Sequence, residues 1–333
     1  MALLSNAQLD VSIIIVNWNN KDLLLSCISS VYSSISKNLK YEIIVVDNGS
    51  HDGSSEAVKK SYPQVLVIQN KKNLGFAAAN NIAFKIMKGK YALLLNTDCT
   101  LTKGAVEALY SFMEEHPEAG ITCGQLLNPD GSKQNSFSNF PSLLEYITNK
   151  SLLKIIWPSR FPSKYNSYNK PIEVDSCIGA CVLLRREAIE EVGYFDEDYF
   201  FFFEETDLAF RLKKAGWKVY FVPCAKIYHA QGKSVGSNIT SRALFYKSMY
   251  TFLKKHYQIH YIYKGIIFLR LIINTLLNLA GTIFTFGLNK SVKHRFFRYL
   301  LLIYWHIRGC PQLYPEERQN GNGNRNKRCS SML

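Results

Sequence analysis

The sequence predicts an α/β fold on a mainly parallel sheet, followed by a helical segment that is both basic and apolar. Three observations predict it. Short runs rich in Ile, Val and Leu alternate with longer polar-apolar stretches over residues 11–127, the pattern of βαβ units. The 333 residues are 47% hydrophobic with ordinary charge content, enough for one large core plus an appendage. Beyond residue 241 the composition changes, and most of the net positive charge coincides with the longest apolar run.

The first block reads as strands Ser12–Trp18, Tyr41–Val46, Val65–Gln69, Tyr91–Leu95 and Gly120–Leu127, with helices at about 21–36, 53–62, 76–88 and 103–116 between them. Asn128–Lys170 follows, rich in Ser, Asn, Pro, Lys and aromatics and opened by the turn signal Asn128-Pro129-Asp130-Gly131; it reads as a long mobile insertion. A second ordered block is expected over strand Glu173–Leu184, helix Arg186–Val192, aromatic run Tyr199–Phe203, helix Glu205–Gly216 and strand Lys218–Val222. The polar tail from Glu316, with its GNGNRNKR stretch, reads as disordered.

Charge narrows the partners. Residues 1–240 carry 25 Lys and Arg against 24 Asp and Glu, whereas residues 241–333 carry 15 against 2. The basicity therefore belongs to the C-terminal part, where Gly265–Leu288 is the longest apolar run. An anionic leaflet attracts such a segment by about 1 kcal/mol per nearby Lys or Arg, so a membrane surface is a better partner than nucleic acid. A helix here lines up Arg270, Asn274, Asn278, Thr282 and Thr285 as one polar stripe, which favours an interfacial or protein-packed helix over a lone lipid-exposed span. Lys150–Lys170, mixing aliphatic and aromatic residues with Lys and Arg, is a second candidate for touching membrane or covering an acceptor.

The eight cysteines show no CxxC pair and no zinc-ligand spacing, and read as reduced core thiols of a cytosolic compartment. MALLSNAQLD lacks the basic and apolar regions of a secretory signal, so catalysis is expected to face the cytosol. CSSML is not a prenylation box, because Cys329 is fifth from the end.

In open α/β sheets ligands bind beyond the carboxyl ends of the strands. The first, second and fourth strands end in Asn17-Trp18-Asn19-Asn20, Asp47-Asn48-Gly49-Ser50 and Asn96-Thr97-Asp98. Asx residues also make turns and caps, but their coincidence at three strand ends makes a ligand face the better account. No strand is followed by GxGxxG or GxxxxGK[ST], which argues against dehydrogenases and P-loop enzymes. Asp98, delivered to the sheet edge by Leu93-Leu94-Leu95, suits a hard cation such as Mg2+ or Mn2+ that also binds substrate phosphates. Glu204, Glu205 and Asp207 open a helix after five aromatic residues. Helix capping explains acids there, and a carboxylate of raised pKa acting as a general base explains them too. His229, in Tyr228-His229-Ala230-Gln231-Gly232-Lys233-Ser234, is a structural histidine or a metal or diphosphate ligand.

Six ordered segments carry a resemblance: SIIIVNWNN, YEIIVVDNGSHDGS, NLGFAAANN, YALLLNTD, the stretch from VDSCIGACVLLRREAIEEVGYFDEDYFFFFEETDLAFRLKKAGW to KVYFVP, and HAQGKS. Over residues 10–240 the chain resembles the inverting GT-A glycosyltransferases of glycosyltransferase family two, in particular bacterial rhamnosyltransferases of polysaccharide assembly. The resemblance implies a GT-A fold with a Rossmann-like nucleotide-sugar half (10–127), the insertion (128–172) and an acceptor half (173–240), before a membrane-associating helical segment (241–315) and the tail (316–333). It places Asp47 on the nucleotide base or ribose, with Asn17, Asn73, Gly75 and Asn80 nearby. It makes Asn96 and Asp98 the DxD-like motif, with Asp98 and His229 on Mg2+ or Mn2+. It gives the base of an in-line, inverting displacement to Glu205, where relatives carry Asp, with Glu204 and Asp207 as substitutes.

Asn-Thr-Asp also replaces the commoner Asn-Pro-Asp, and Ser176-Cys177 stand where relatives often have an aromatic. The leading expectation is transfer of rhamnose from dTDP-rhamnose to a lipid-linked glycan acceptor at the cytoplasmic membrane surface. A different UDP- or dTDP-hexose donor, a sugar nucleotidyltransferase, and an inactive membrane-bound scaffold are the alternatives. Ile13–Lys21 lacks the Gly-rich basic loop that a nucleotidyltransferase needs.

Overall fold

The computed structural model describes residues 9–148, 150–163, 166–230 and 239–311. The tail and the Gln231–Ser234 part of the last motif lie outside them. The chain runs β1 (Leu9–Asn17), α1 (Lys21–Ser34), β2 (Tyr41–Asp47), α2 (Ser54–Ser61), β3 (Leu66–Gln69), α3 (Phe76–Phe84), β4 (Gly89–Leu95), β5 (Cys99–Leu101), α4 (Ala105–Glu115) and β6 (Ala119–Leu127). It continues through β7 (Phe137–Ser138), α5 (Leu143–Ile147), α6 (Lys150–Ile156), β8 (Ile172–Glu173), β9 (Ser176–Cys177), β10 (Cys181–Arg185), α7 (Arg186–Val192), α8 (Glu204–Lys214) and β11 (Lys218–His229). Three helices close it: α9 (Ile239–His256), α10 (His260–Phe284) and α11 (Lys290–Ile307).

The main sheet runs β3-β2-β1-β4-β10-β6-β11-β5. Its first half is parallel, and the period-two alternation of side chains splits the core into two layers. Ile13, Ile15, Val45 and Leu93 pack with α1, α2 and α4, while Ile14, Ile44, Val46 and Leu94 pack with α3, α7 and α8. Burial on both faces explains why these strands read as continuous apolar runs.

The second half departs from the expected parallel pattern. β10 enters antiparallel between β4 and β6, and β5 pairs antiparallel with β11, so the sheet is mixed. The single strand expected over Glu173–Leu184 is three: β8 pairs with β11, β9 leaves to pair with β7, and β10 returns to the main sheet. Asp175 marks the first break, its carboxylate accepting from the Phe140 amide at 3.0 Å and from Arg160 at 2.7 Å. The last strand runs past Pro223 to His229, because a register shift between Val222 and Lys226 removes the proline from the ladder. His229 therefore sits on a strand, opposite Cys99, rather than after one. The insertion carries β7, α5 and α6 instead of continuous loop.

These pairings bring the carboxyl ends of β1, β2, β4 and β11 and the start of β10 to one edge. Asn17 is in register with Asp47, and Cys181 with Leu95. Packed on α9, α10 and α11 form an antiparallel hairpin, with Phe268 against His306 near its base and Gly281 beside Val292 near its tip.

Candidate active site

At the end of β1, Asn17 is fully buried and donates to Ser50 Oγ at 3.1 Å, while its Oδ1 has no hydrogen-bond partner among the described residues. Beside it, Asp47 accepts from the Ser50 amide at 3.2 Å and from the Ser55 hydroxyl. An unpaired buried acceptor next to a held carboxylate is an arrangement for reading donors on a ligand.

Asn48, which the sequence reading passed over as part of a turn, builds the adjoining loop. Its Oδ1 accepts from Asn70 Nδ2 and the Leu74 amide, both at 3.0 Å, and its Nδ2 donates to Asn73 Oδ1 at 2.9 Å and the Gly75 carbonyl at 3.1 Å. Asn73 is thereby a loop scaffold, also accepting from the Gly75 amide at 2.9 Å. Asn80 lies in α3 and turns back onto the Phe76 carbonyl at 2.9 Å. Its neighbour Asn81 bonds the Phe195 amide and carbonyl and the Glu197 carboxylate, tying the two halves of the sheet together.

Gly75 has φ +89°, and a Cβ there would stand 2.6 Å from the Phe200 carbonyl oxygen. Gly75→Ala is expected to cost about 1–3 kcal/mol through strain and displacement of the aromatic run, read as a lower Tm. An unchanged melting curve would remove this account of the close approach.

Asp98 follows β4, and its carboxylate Oδ1 lies 3.4 Å from His229 Nε2. Both residues are buried. The Ala230 amide donates to the Asp98 carbonyl at 2.9 Å, locking the end of β11 to the turn. Gln134, from the insertion, orients the imidazole. Its Nε2 donates to the His229 carbonyl at 2.6 Å and Asn128 Oδ1 at 2.7 Å, so its Oε1 is the atom that meets His229 Nδ1 at 2.9 Å. Nδ1 is therefore the donor to Gln134, and Nε2 is the nitrogen turned toward Asp98.

That donor set fits a divalent cation, since a carboxylate oxygen and an imidazole nitrogen face one another 3.4 Å apart in a buried cluster. Cys99 lies in the same cluster, but burial pushes its thiol well up and Sγ donates to the Ala180 carbonyl at 3.3 Å. A neutral thiol leaves the ligand chemistry to oxygen and nitrogen.

The turn before β10 joins this centre to the acids. The Asn96 amide donates to the Ala180 carbonyl at 2.9 Å, and a Cβ on Gly179 would stand 3.5 Å from the Glu205 carboxyl carbon. Glu204 and Glu205 open α8, and each Oε2 lacks a hydrogen-bond partner among the described residues. Burial, then the neighbouring Glu205 charge, pushes the Glu204 carboxyl well up. Burial also raises Glu205, opposed by backbone N–H groups including those of Gly179 and Thr206. These two acids hold protons more tightly than ordinary carboxylates, as acid-base sites require.

Because its folded pKa lies above the unfolded value, Glu204 stabilises the fold fully below the ordinary carboxylate range and loses that contribution as pH rises through its folded pKa. Glu204→Gln is therefore expected to raise Tm at pH 8, with the gain shrinking toward pH 4. Equal shifts at both pH values in thermal melts would contradict a buried, proton-holding Glu204.

Asp207 is engaged elsewhere. Its buried carboxylate accepts from Arg211 Nε at 2.8 Å, His256 Nε2 at 2.6 Å and the Tyr199 hydroxyl at 3.2 Å. The preceding Phe202 and Phe203 hold φ of +69° and +71°, an αL conformation that costs non-glycine residues energy. α9 pins them: Ser248 donates to the Phe201 carbonyl at 2.8 Å, and Phe203 packs on Phe245 and Phe252. From the other side the Phe76 amide donates to the Phe200 carbonyl at 2.7 Å.

Comparison with known proteins accords with this layout. Residues 12–193 match the model of Glycosyl transferase family 2. An N-acetylglucosaminyl-diphospho-decaprenol L-rhamnosyltransferase of Mycobacterium tuberculosis is 32% identical over 236 residues, 66% of this chain and 76% of that protein. A low-salt glycan biosynthesis hexosyltransferase of Haloferax volcanii is 28% identical over 210 residues, 62% of each. The solved structure of GalNAc-T7 with UDP, GalNAc and Mn2+ shares the fold, with a TM-score of 0.53 at 17% identity over 74% of this chain and 48% of that one. With its family match and its relatives on one side and its GT-A sheet on the other, the chain belongs to glycosyl transferase family 2 and is a rhamnosyltransferase-like glycosyltransferase.

Proposed function

We propose that the enzyme is an inverting hexosyltransferase moving rhamnose from dTDP-rhamnose onto a lipid-linked glycan in cell-surface polysaccharide assembly, at the cytoplasmic face of the membrane. The observation that carries this is the Asp98 carboxylate facing His229 Nε2, joined through the turn before β10 to Glu205, whose proton affinity burial raises toward that of a general base. The rhamnosyl donor and the polyprenyl-diphosphate acceptor are drawn from the mycobacterial relative's name.

In this reading Asn17 and Asp47 take the nucleotide, and Asn96 lines the diphosphate beside them. The Asn73–Gly75 loop shapes that pocket, with Asn80 supporting it from within α3. Asp98 and His229 would hold Mg2+ or Mn2+, which neutralises charge on the departing diphosphate. Glu205 accepts the proton of the acceptor hydroxyl as the new C–O bond forms at the anomeric carbon. The bond to the diphosphate oxygen breaks on the opposite face, its electron pair leaves with the nucleotide, and configuration inverts. Glu204 keeps its proton and limits negative charge beside Glu205, while Asp207 fixes α8 from beneath.

The test incubates purified enzyme with dTDP-rhamnose and a panel of UDP- and dTDP-hexoses, Mg2+ or Mn2+, and a polyprenyl-diphosphate N-acetylglucosamine acceptor, and follows nucleotide diphosphate release. Release of dTDP, with a product of anomeric configuration opposite to the donor's, is expected to depend on the cation and to fall with chelator. Release only from another hexose would replace the donor. Absence of release from any donor would favour an inactive scaffold.

A further inference from the structure

From its exposed faces we infer that the α10–α11 hairpin is an interfacial wedge that enters one leaflet of an anionic bilayer at its tip and does not cross it. The inference sharpens the membrane-surface part of the proposed function and is independent of the donor and acceptor.

The polarity of α10 is inverted relative to a helix in water. Tyr263, Ile267, Leu271 and Thr275, spaced by four, are buried against the protein. The polar stripe predicted from sequence continues that same inward side through Asn274, Asn278, Thr282 and Thr285. Its members satisfy themselves within the helix: Asn278 donates to the Asn274 carbonyl and Thr282 to the Asn278 carbonyl, both at 2.7 Å, and Thr285 to the Gly281 carbonyl at 2.8 Å. Arg270 donates to the Glu145 and Tyr146 carbonyls at 3.3 Å. The outward face is Leu269, Ile273, Leu276, Leu277 and Ile283, all exposed. Water penalises an outward aliphatic stripe over an inward polar one, and hydrocarbon favours it.

The tip sharpens the preference. Phe284, Phe286 and Leu288 are 83%, 91% and 82% exposed. Immediately after them come Lys290, Lys293, Arg295 and Arg298 in the first turns of α11. No Asp or Glu occurs between Asp207 and Glu316. Apolar residues at the point and cations one turn behind them match acyl chains beneath anionic headgroups. A second copy of the chain would meet the same positive charge, so like faces repel.

Length alone would permit a crossing, since α10 has 25 residues. α11 forbids it. The two helices are joined by five residues, Thr285–Asn289, and lie side by side from tip to base, so α10 cannot cross without carrying Lys290 and Lys293 through the hydrocarbon and leaving Arg295 and Arg298 within it. Seated at the interface, the same cations stay among headgroups.

The experiment uses the full chain and sedimentation with sonicated vesicles of phosphatidylcholine with or without about 30 mol% phosphatidylglycerol as the anionic lipid. Binding is expected with the anionic vesicles, weakening as salt rises, and at least tenfold lower for Phe286→Asp with Leu288→Asp. Dispersed-substrate nucleotide release by that variant is expected unchanged, which separates lost docking from lost folding and from failure of the transfer reading. Equal binding of wild type and variant would overturn the proposal. So would dimerisation that buries the tip and abolishes vesicle binding. In Phe286→Trp, quenching by lipids brominated near the headgroup is expected to exceed quenching by lipids brominated near the acyl terminus, and the reverse order would overturn the interfacial seat.

Discussion

Asp98→Ala is expected to lower sugar transfer by about 10³-fold or more, the largest effect of any single change in the molecule. The reason is that Asp98 is the one carboxylate at the end of β4, facing His229 Nε2 at 3.4 Å with its backbone clamped by Ala230. Removing a preorganised group that meets charge developing in the transition state costs on the order of 10²–10³ in rate, and loss of an ion held by that group adds to it. Folding should survive, because the Asp98 side chain is a buried charge whose removal lightens the desolvation cost of the native state. The measurement is nucleotide diphosphate release alongside a thermal melt. Transfer within tenfold of wild type, at an unchanged Tm, would sink the metal assignment.

Glu205→Gln is expected to lower kcat by roughly 10²–10⁴-fold, the range for a lost general base, with the donor KM little changed. Gln keeps the shape and an acceptor for the Gly179 and Thr206 amides, so the loss reports the proton and not the packing. Burial places the folded Glu205 pKa above the ordinary carboxylate value, so the acid limb of the kcat profile should lie above that value also. Glu205→Asp, which keeps a carboxylate at this position, should retain far more activity than Gln. A kcat for Glu205→Gln close to wild type would move the base elsewhere; Asp207, held by Arg211, His256 and Tyr199, is poorly suited to receive it.

Much of the site was legible because it follows from strand ends. Asn17, Asp47 and Asp98 each terminate an apolar run, and parallel register alone brings the first two side by side. The acids of α8 were legible as a cluster, but their division of labour was not, since it depends on partners far along the chain such as His256. The strand expected to end at Val222 runs on to His229, because the bulge beyond Val222 takes Pro223 out of the ladder and returns the chain to it beside Cys99. Gln134, which sets the imidazole tautomer, sits in a segment whose composition reads as loop. The stripe on α10 was visible as a period, and a period says that two faces differ without saying which of them turns inward.

The carboxylate of Asp207 has a consequence for how such enzymes are rearranged. One of its three donors, His256, belongs to the last turn of α9, so a helix that composition assigns to the lipid-facing appendage is stitched into the catalytic half. Recombination between relatives, natural or by design, has a seam after His256 and none before Ile239. A graft joined at the earlier point would inherit a buried charge lacking one partner, whereas one joined within 257–259 keeps His256 on Asp207 and leaves only the packing of α9 against α10 and α11 to be rebuilt.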